Sequence, residues 1–329
     1  MIARKIRLVP PGKFSDRFTY NVYLDRKTGG DHGYEVVKEV PTLERVLARL
    51  KEKFPEADHD TLRRRAKKFT EKIFPVFLTR EAAMLKLLHR DLPKQLRSRV
   101  PRLISVEQDR LGYVQKLRMK WLRNGRPTPP PSPPPHTSTK KHPVEPTFAP
   151  LTQLDFAHQA AELLTALHDD AKVMHLDLRL DNFVITEHGV GFVDFGSAVR
   201  VGEAFAEASL LSNLFGEMMR TSQIQRMMGK MTASGQVTNE EIRASFNRID
   251  KAADFFYLAV QINSPLSNPD FRGLVTHNPD SEEARELALL TEQILRPADP
   301  LHPRFTSARE ILLGIEEAAH RLGRTLRKD

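Results

Sequence analysis

The chain has 329 residues, 40% of them hydrophobic, with 51 Lys and Arg against 42 Asp and Glu and no cysteine. That length and apolar content suffice for one two-part unit or for two domains, and do not read as a disordered chain. The lack of cysteine excludes disulfides, thiolate metal sites and cysteine nucleophiles; no apolar stretch approaches the roughly 20 residues of a membrane span and the N-terminus lacks the apolar core of a secretion signal, so the expected location is cytoplasmic.

Charge is unevenly spread. Residues 1–126 carry 31 Lys and Arg against 15 Asp and Glu, whereas residues 151–329 carry 18 against 26. The basic run Arg63, Arg64, Arg65, Lys67 and Lys68 could face nucleic acid or an anionic surface. With no aromatic residues interleaved for base stacking, it reads better as a solvated helix face, and nucleic acid is not an expected partner.

The N-terminal part reads as β-rich. Residues 18–24 alternate and are rich in β-formers, 27–33 are a turn, and 34–40 form the second arm of a hairpin with Lys38 on it. Helices are expected over 42–53 and 60–72. A further helix, REAAMLKLLHRDLP, carries Met84, Leu85, Leu87 and Leu88 at helical spacing with Glu81 early in it.

Composition changes at Arg126. The segment PTPPPSPPPHTSTKKHPVEPTFAP, residues 127–150, holds ten prolines and cannot sustain a helix or a central strand. It reads as an extended linker with P-x-x-P matches that a proline-binding domain could grip, and with exposed hydroxyls at Thr128, Ser132 and Thr137. Beyond it, residues 153–168 form an amphipathic helix with Leu154, Ala157, Ala161, Leu164 and Leu167 on its apolar side.

That helix feeds into residues 175–196, HLDLRLDNFVITEHGVGFVDFG, the most informative stretch of the chain. Asp177 and Asn182 lie five apart in a polar turn. Phe183 to Ile185 and Val190 to Val193 read as the strands of a hairpin turned at Glu187, His188 and Gly189, ending on Asp194. An aspartate at a strand end, facing a loop with Asp and Asn, is a plausible Mg²⁺ site of few protein ligands.

The pattern H-x-D-L-x-x-x-N followed by D-F-G resembles the catalytic loop and metal-binding loop of the protein kinase superfamily. The resemblance implies an α+β, two-lobed fold: a small β-rich N-lobe over residues 1–116, with a five-stranded sheet, a C helix and a helical insert at about 42–72, and a mainly helical C-lobe over 117–329 bearing the proline-rich insert 126–150. It implies ATP and Mg²⁺ as cofactors and transfer of the γ-phosphate to a protein hydroxyl, Ser or Thr by preference, with autophosphorylation in the insert a testable extension. Asp177 would orient the acceptor, Arg179 would approach the γ-phosphate, and Asn182 and Asp194 would hold Mg²⁺. Lys38 would grip the nucleotide phosphates, with Lys72 as the alternative, and Glu81 would pair with the lysine. A binding scaffold that keeps the fold without catalysis, and a small-molecule phosphotransferase, are the rival readings.

The resemblance extends to KAADFFYLAVQI, where Asp254 would hydrogen-bond the catalytic-loop backbone, and to DPLHPRFTSAREIL, where Arg304 would be a buried cation. It departs from the family in four places. Ser15, Arg17 and Tyr20 stand at the glycine positions of the phosphate loop, leaving only Gly12, out of register. Leu176 replaces an arginine, which implies regulation independent of activation-loop phosphorylation. No A-P-E motif supplies a partner for Arg304, so Glu207 and Glu217 are both candidates. The 60 positions between Asp194 and Asp254 are more than the family needs, and the methionine cluster around Met218 and Met228 reads as packing.

Overall fold

A computed structural model of the protein describes residues 6–7, 20–26, 34–120, 122, 149–201, 251–263, 265, 271, 273–295 and 305–327. Gly12, Ser15 and Arg17, nearly all of the proline-rich segment, Glu207, Glu217, the methionine cluster and Arg304 lie outside the described residues.

The fold is mixed α+β. Strands β1 (Ile6–Arg7), β2 (Asn21–Arg26), β3 (Tyr34–Glu39), β4 (Leu103–Gln108) and β5 (Val114–Lys120) make an antiparallel sheet in the order β1-β2-β3-β5-β4. The expected hairpin is β2–β3, in a register that sets Val22 opposite Lys38. Val37 of β3 and Val114, Leu117 and Met119 of β5 are buried, as expected of β-branched and long apolar side chains on a covered sheet face.

Thr42 and Asp58 cap helices α1 (Leu43–Lys53) and α2 (His59–Lys68), each side-chain oxygen accepting a backbone N–H three residues on. The sequence suggests a break between residue 72 and a new helix near Arg80. Instead α2 continues through a π turn, Phe69–Ile73, into α3 (Phe74–Asp91). Pro75 locally opposes a continuous helix, because proline lacks an N–H and crowds the carbonyl four residues back. The wider π turn, with the Phe74 N–H reaching the Phe69 carbonyl, accommodates it at the start of α3. Glu81 therefore lies inside a long helix, not in a first turn.

Val46, Leu50, Leu62, Ala66, Phe69, Ile73 and Phe74 make a small core of their own for this helical region. The larger core runs from α3 and β5 into α4 (Gln153–Asp169) and the C-terminal helices α5 (Ala252–Asn263), α6 (Glu282–Leu295) and α7 (Ala308–Arg321). Thr152 and Asp155 close a capping box at the start of α4. Its expected amphipathic face is only part of the truth: α4 is covered nearly all round, polar Gln159 and His168 included, because α5, α6, α7 and a hairpin pack against it from different sides. Short pairings complete the structure: β6 (Leu151–Thr152) runs parallel to β11 (Val275–Thr276), β7 (Val173–Met174) antiparallel to β10 (Val199–Arg200), and β8 (Phe183–Thr186) antiparallel to β9 (Gly189–Phe192). Among the described residues no helix is long and apolar enough to cross a membrane.

Candidate active site

Lys38 and Glu81 come from elements with no local reason to meet. Lys38 occupies a covered position of β3, and Glu81, 1% exposed, projects from α3, which packs on the sheet. The ammonium lies 2.7 and 3.0 Å from the two Glu81 carboxylate oxygens and 2.9 Å from Asp194 Oδ1. One cation thus serves two carboxylates. Burial alone would push the Lys38 pKa down, but Asp194 and Glu81 outweigh it and hold the ammonium firmly charged. Burial pushes the Glu81 carboxyl up to about 6, aided by the Asp194 charge and opposed by Lys38. Burial also acts to raise Asp194, yet Lys38 prevails and its pKa is lowered. Lys72, the alternative lysine, is solvent-exposed in the π turn.

The second cluster is the turn at 177–182. Asn182 donates its side-chain amide to the Asp177 carbonyl at 2.7 Å and to Asp177 Oδ2 at 3.0 Å. Arg179 grips the same carboxylate with Nε at 2.7 Å and Nη2 at 3.3 Å, a two-point pairing that suits a planar guanidinium. Arg179, expected over a phosphate, is therefore spent on Asp177 here. With its nitrogen committed to Asp177, what Asn182 has left to offer a ligand is its carbonyl oxygen.

The β8–β9 hairpin joins the clusters. Phe183 pairs with Phe192, and the Val193 N–H donates to the Asn182 carbonyl at 2.9 Å, so Asn182 and Asp194 flank the open end of the hairpin, opposite its turn. His175 stitches the loop to it: its Nε2 lies 3.1 Å from the Val193 carbonyl and its Nδ1 3.3 Å from the Asp177 N–H. One tautomer satisfies both, with Nε2–H donating and Nδ1 accepting. Burial pushes the His175 pKa down, favouring this neutral form despite the nearby Asp254 and Asp194 charges. Its ring also packs on Phe195 and Phe192.

Asp254, fully buried at the start of α5, holds the loop from below. Its carboxylate accepts the backbone N–H groups of His175 at 2.8 Å and Leu176 at 2.7 Å and lies 2.8 Å from His168 Nε2. Leu176, where a cation is absent, adopts φ +62°, and Asp194 adopts φ +65°. Left-handed backbone costs a non-glycine residue roughly 1–2 kcal/mol. At both positions polar contacts sustain it: Asp254 on the Leu176 N–H, Lys38 on the Asp194 side chain.

The structure thus gathers Lys38, Glu81 and Asp194 in one cluster and Asp177, Arg179 and Asn182 in another. Sequence reasoning assigned no role to His175 or His168, and to Tyr20 only the loss of a glycine. Tyr20 donates its hydroxyl to the Phe74 carbonyl at 3.2 Å, stacks edge-on against the Phe74 ring and sits with its own ring centroid 6.0 Å from the Lys38 ammonium. Burial first, and then Glu81 and Asp194, push its phenol well above the ordinary value. The signal for His175 lay in the motif itself; for Tyr20 and His168 no local pattern carried one.

For a divalent cation the donor set fits: the Asn182 carbonyl and the 41%-exposed Asp194 side chain offer hard oxygen ligands of the kind Mg²⁺ prefers. No protein-family model and no curated protein matches this chain.

Proposed function

We propose that the chain is an ATP-dependent phosphotransferase on a two-lobed, protein kinase-like fold, passing the γ-phosphate to a protein hydroxyl, Ser or Thr by preference. The observation that carries this reading is the Lys38 ammonium held between Glu81 and Asp194, since a buried lysine so fixed is a ready clamp for the α- and β-phosphates of a nucleotide. The anchored loop bearing Asp177 and Asn182 supports it.

In this mechanism the acceptor hydroxyl oxygen attacks the γ-phosphorus, the bond from that phosphorus to the bridging oxygen breaks, ADP leaves, and the hydroxyl proton passes to Asp177. Asp177 aims the hydroxyl, and Arg179 and Asn182 fix the aspartate's orientation. Asn182 and Asp194 would hold Mg²⁺, whose contribution is neutralisation of phosphate charge. Lys38 orients the nucleotide and Glu81 orients Lys38. Such a site works by positioning and electrostatics more than by covalent chemistry.

A binding scaffold is the second reading, favoured by Tyr20, whose bulk stands beside Lys38 where the family keeps glycine. A small-molecule acceptor on the same fold is the third. A time course of label transfer from γ-labelled ATP with Mg²⁺, with and without a generic protein substrate, separates them. Transfer to protein, abolished in Asp177→Asn and Asp194→Asn, is the expected result. Nucleotide binding without transfer to protein would sink the protein kinase reading, and no binding at all would sink every phosphotransferase reading.

A further inference from the structure

A cavity of about 650 Å³ opens one to two turns beyond Glu81 along α3, between that helix, the turn at Lys94–Arg99 and the start of β4. Leu85 and Val100 form its floor, and Ile104, 46% exposed, stands at its edge. Lys86, Arg97, Arg102 and Lys120 surround it, and no carboxylate lines it among the described residues. Arg97 is held by two backbone carbonyls, those of Leu92 and Arg90, which fix the guanidinium without neutralising it. Lys86, Arg102 and Lys120 have no ion-pair partner among the described residues. The local potential is felt by His89, on the same wall, whose pKa is lowered by burial first and further by Arg102 and Arg97.

We infer that this groove is a docking site for an acidic peptide segment carrying an apolar anchor side chain. Cations without a carboxylate partner among the described residues, set around an apolar floor, recruit a carboxylate-rich partner and give it a place to bury one side chain. Among the described residues no Phe, Tyr or Trp lines the groove, and the exposed Ile104 would gain nothing from a phosphate backbone. Leu85 and His89 follow Glu81 by one and two turns of α3, so an occupant rests on the helix that carries Glu81. The inference does not depend on the phosphotransferase reading.

The test is fluorescence anisotropy with the full chain and a short labelled peptide bearing one phenylalanine among glutamates. A second peptide without the phenylalanine and an oligothymidylate of equal charge serve as comparisons. The phenylalanine peptide should bind with a dissociation constant of about 10–100 µM, in keeping with a small transient interface. Lys86→Glu with Arg102→Glu should weaken it at least about tenfold, and Ile104→Ser should weaken the phenylalanine peptide but not the all-glutamate one. All three side chains are solvent-exposed, and circular dichroism checks that the variants fold. Binding indifferent to these substitutions, an oligonucleotide that outcompetes the peptide, or no binding up to about 1 mM would each overturn the assignment. Because binding is read without catalysis, an inactive enzyme leaves this test intact.

Discussion

Asp254 accepts the Leu176 backbone N–H at 2.7 Å across 78 residues of sequence, in a place where neither residue sees solvent. The same carboxylate takes the His175 N–H and lies against His168, so one buried acid organises the turn that precedes Asp177. Removing it strands three donors. Each buried unsatisfied group costs about 1–3 kcal/mol, so Asp254→Ala should lose at least about 3 kcal/mol of stability, read as a drop in urea midpoint at unchanged slope. Asp254→Asn keeps one acceptor oxygen but turns an NH₂ toward a donor, and should lose less than the alanine variant while still relaxing the loop.

Lys38 is the only described cation bonded to Glu81 and Asp194, and replacing it has a pH signature. In Lys38→Met the lowering influence on Glu81 is gone, so the Glu81 pKa rises beyond the present value of about 6. A carboxyl whose folded pKa exceeds its unfolded value binds its proton more tightly when folded. Its contribution is fully present below the unfolded value of 4.5 and is lost as pH rises through the folded value. The variant should therefore be closest to wild type near pH 5 and fall furthest behind at pH 8 in chemical denaturation. An equal deficit at both pH values would refute the shared-cation account.

Burial lowers the His175 pKa below the ordinary histidine value of 6.5, which extends its neutral form to lower pH. The folded value is depressed, so the group stabilises the fold above the unfolded pKa and that contribution is lost as pH falls. Its ring-proton NMR signals should shift less between pH 7 and pH 6 than those of an exposed histidine, which is already titrating there. A normal titration curve would mean that the Val193 and Asp177 contacts do not hold the ring.

Tyr20→Phe removes only the hydroxyl that reaches the Phe74 carbonyl while keeping the ring against Phe74 and Lys38. The expected loss is about 0.5–1.5 kcal/mol, measured by thermal or urea unfolding. Tyr20→Ala also empties the ring's place and should cost distinctly more.

Gly191, in β9, has no room for a side chain: a Cβ there would run into the Arg99 carbonyl and press on Val184. The obstacle is backbone, which cannot swing away. Gly191→Ala should destabilise by about 1–3 kcal/mol and loosen the hairpin that joins Asn182 to Asp194, an effect visible as faster amide exchange at Val193.

Much of this arrangement was legible in the sequence because it depends on neighbours in the chain. The β2–β3 hairpin, the capped starts of α1 and α2, and the β8–β9 hairpin follow from alternation, capping residues and turn residues acting over a few positions. The spacing of Asp177 and Asn182 likewise fixes their contact, since one turn brings them together whatever surrounds it. What the chain could not state was how distant pieces are oriented. Pro75 argues locally for a break, and only packing of the neighbouring helices turns it into a π turn that carries α2 into α3 and buries Glu81. The choice between Lys38 and Lys72 had the same character: both are lysines in reasonable contexts, but burial beside two carboxylates is a property of a place in three dimensions. So too for Tyr20, His168 and the two-point grip of Arg179 on Asp177. Local sequence determined which elements form, because backbone and capping preferences act within a few residues; tertiary structure decided which charges share a site, because burial and long-range contact exist only once the elements have packed.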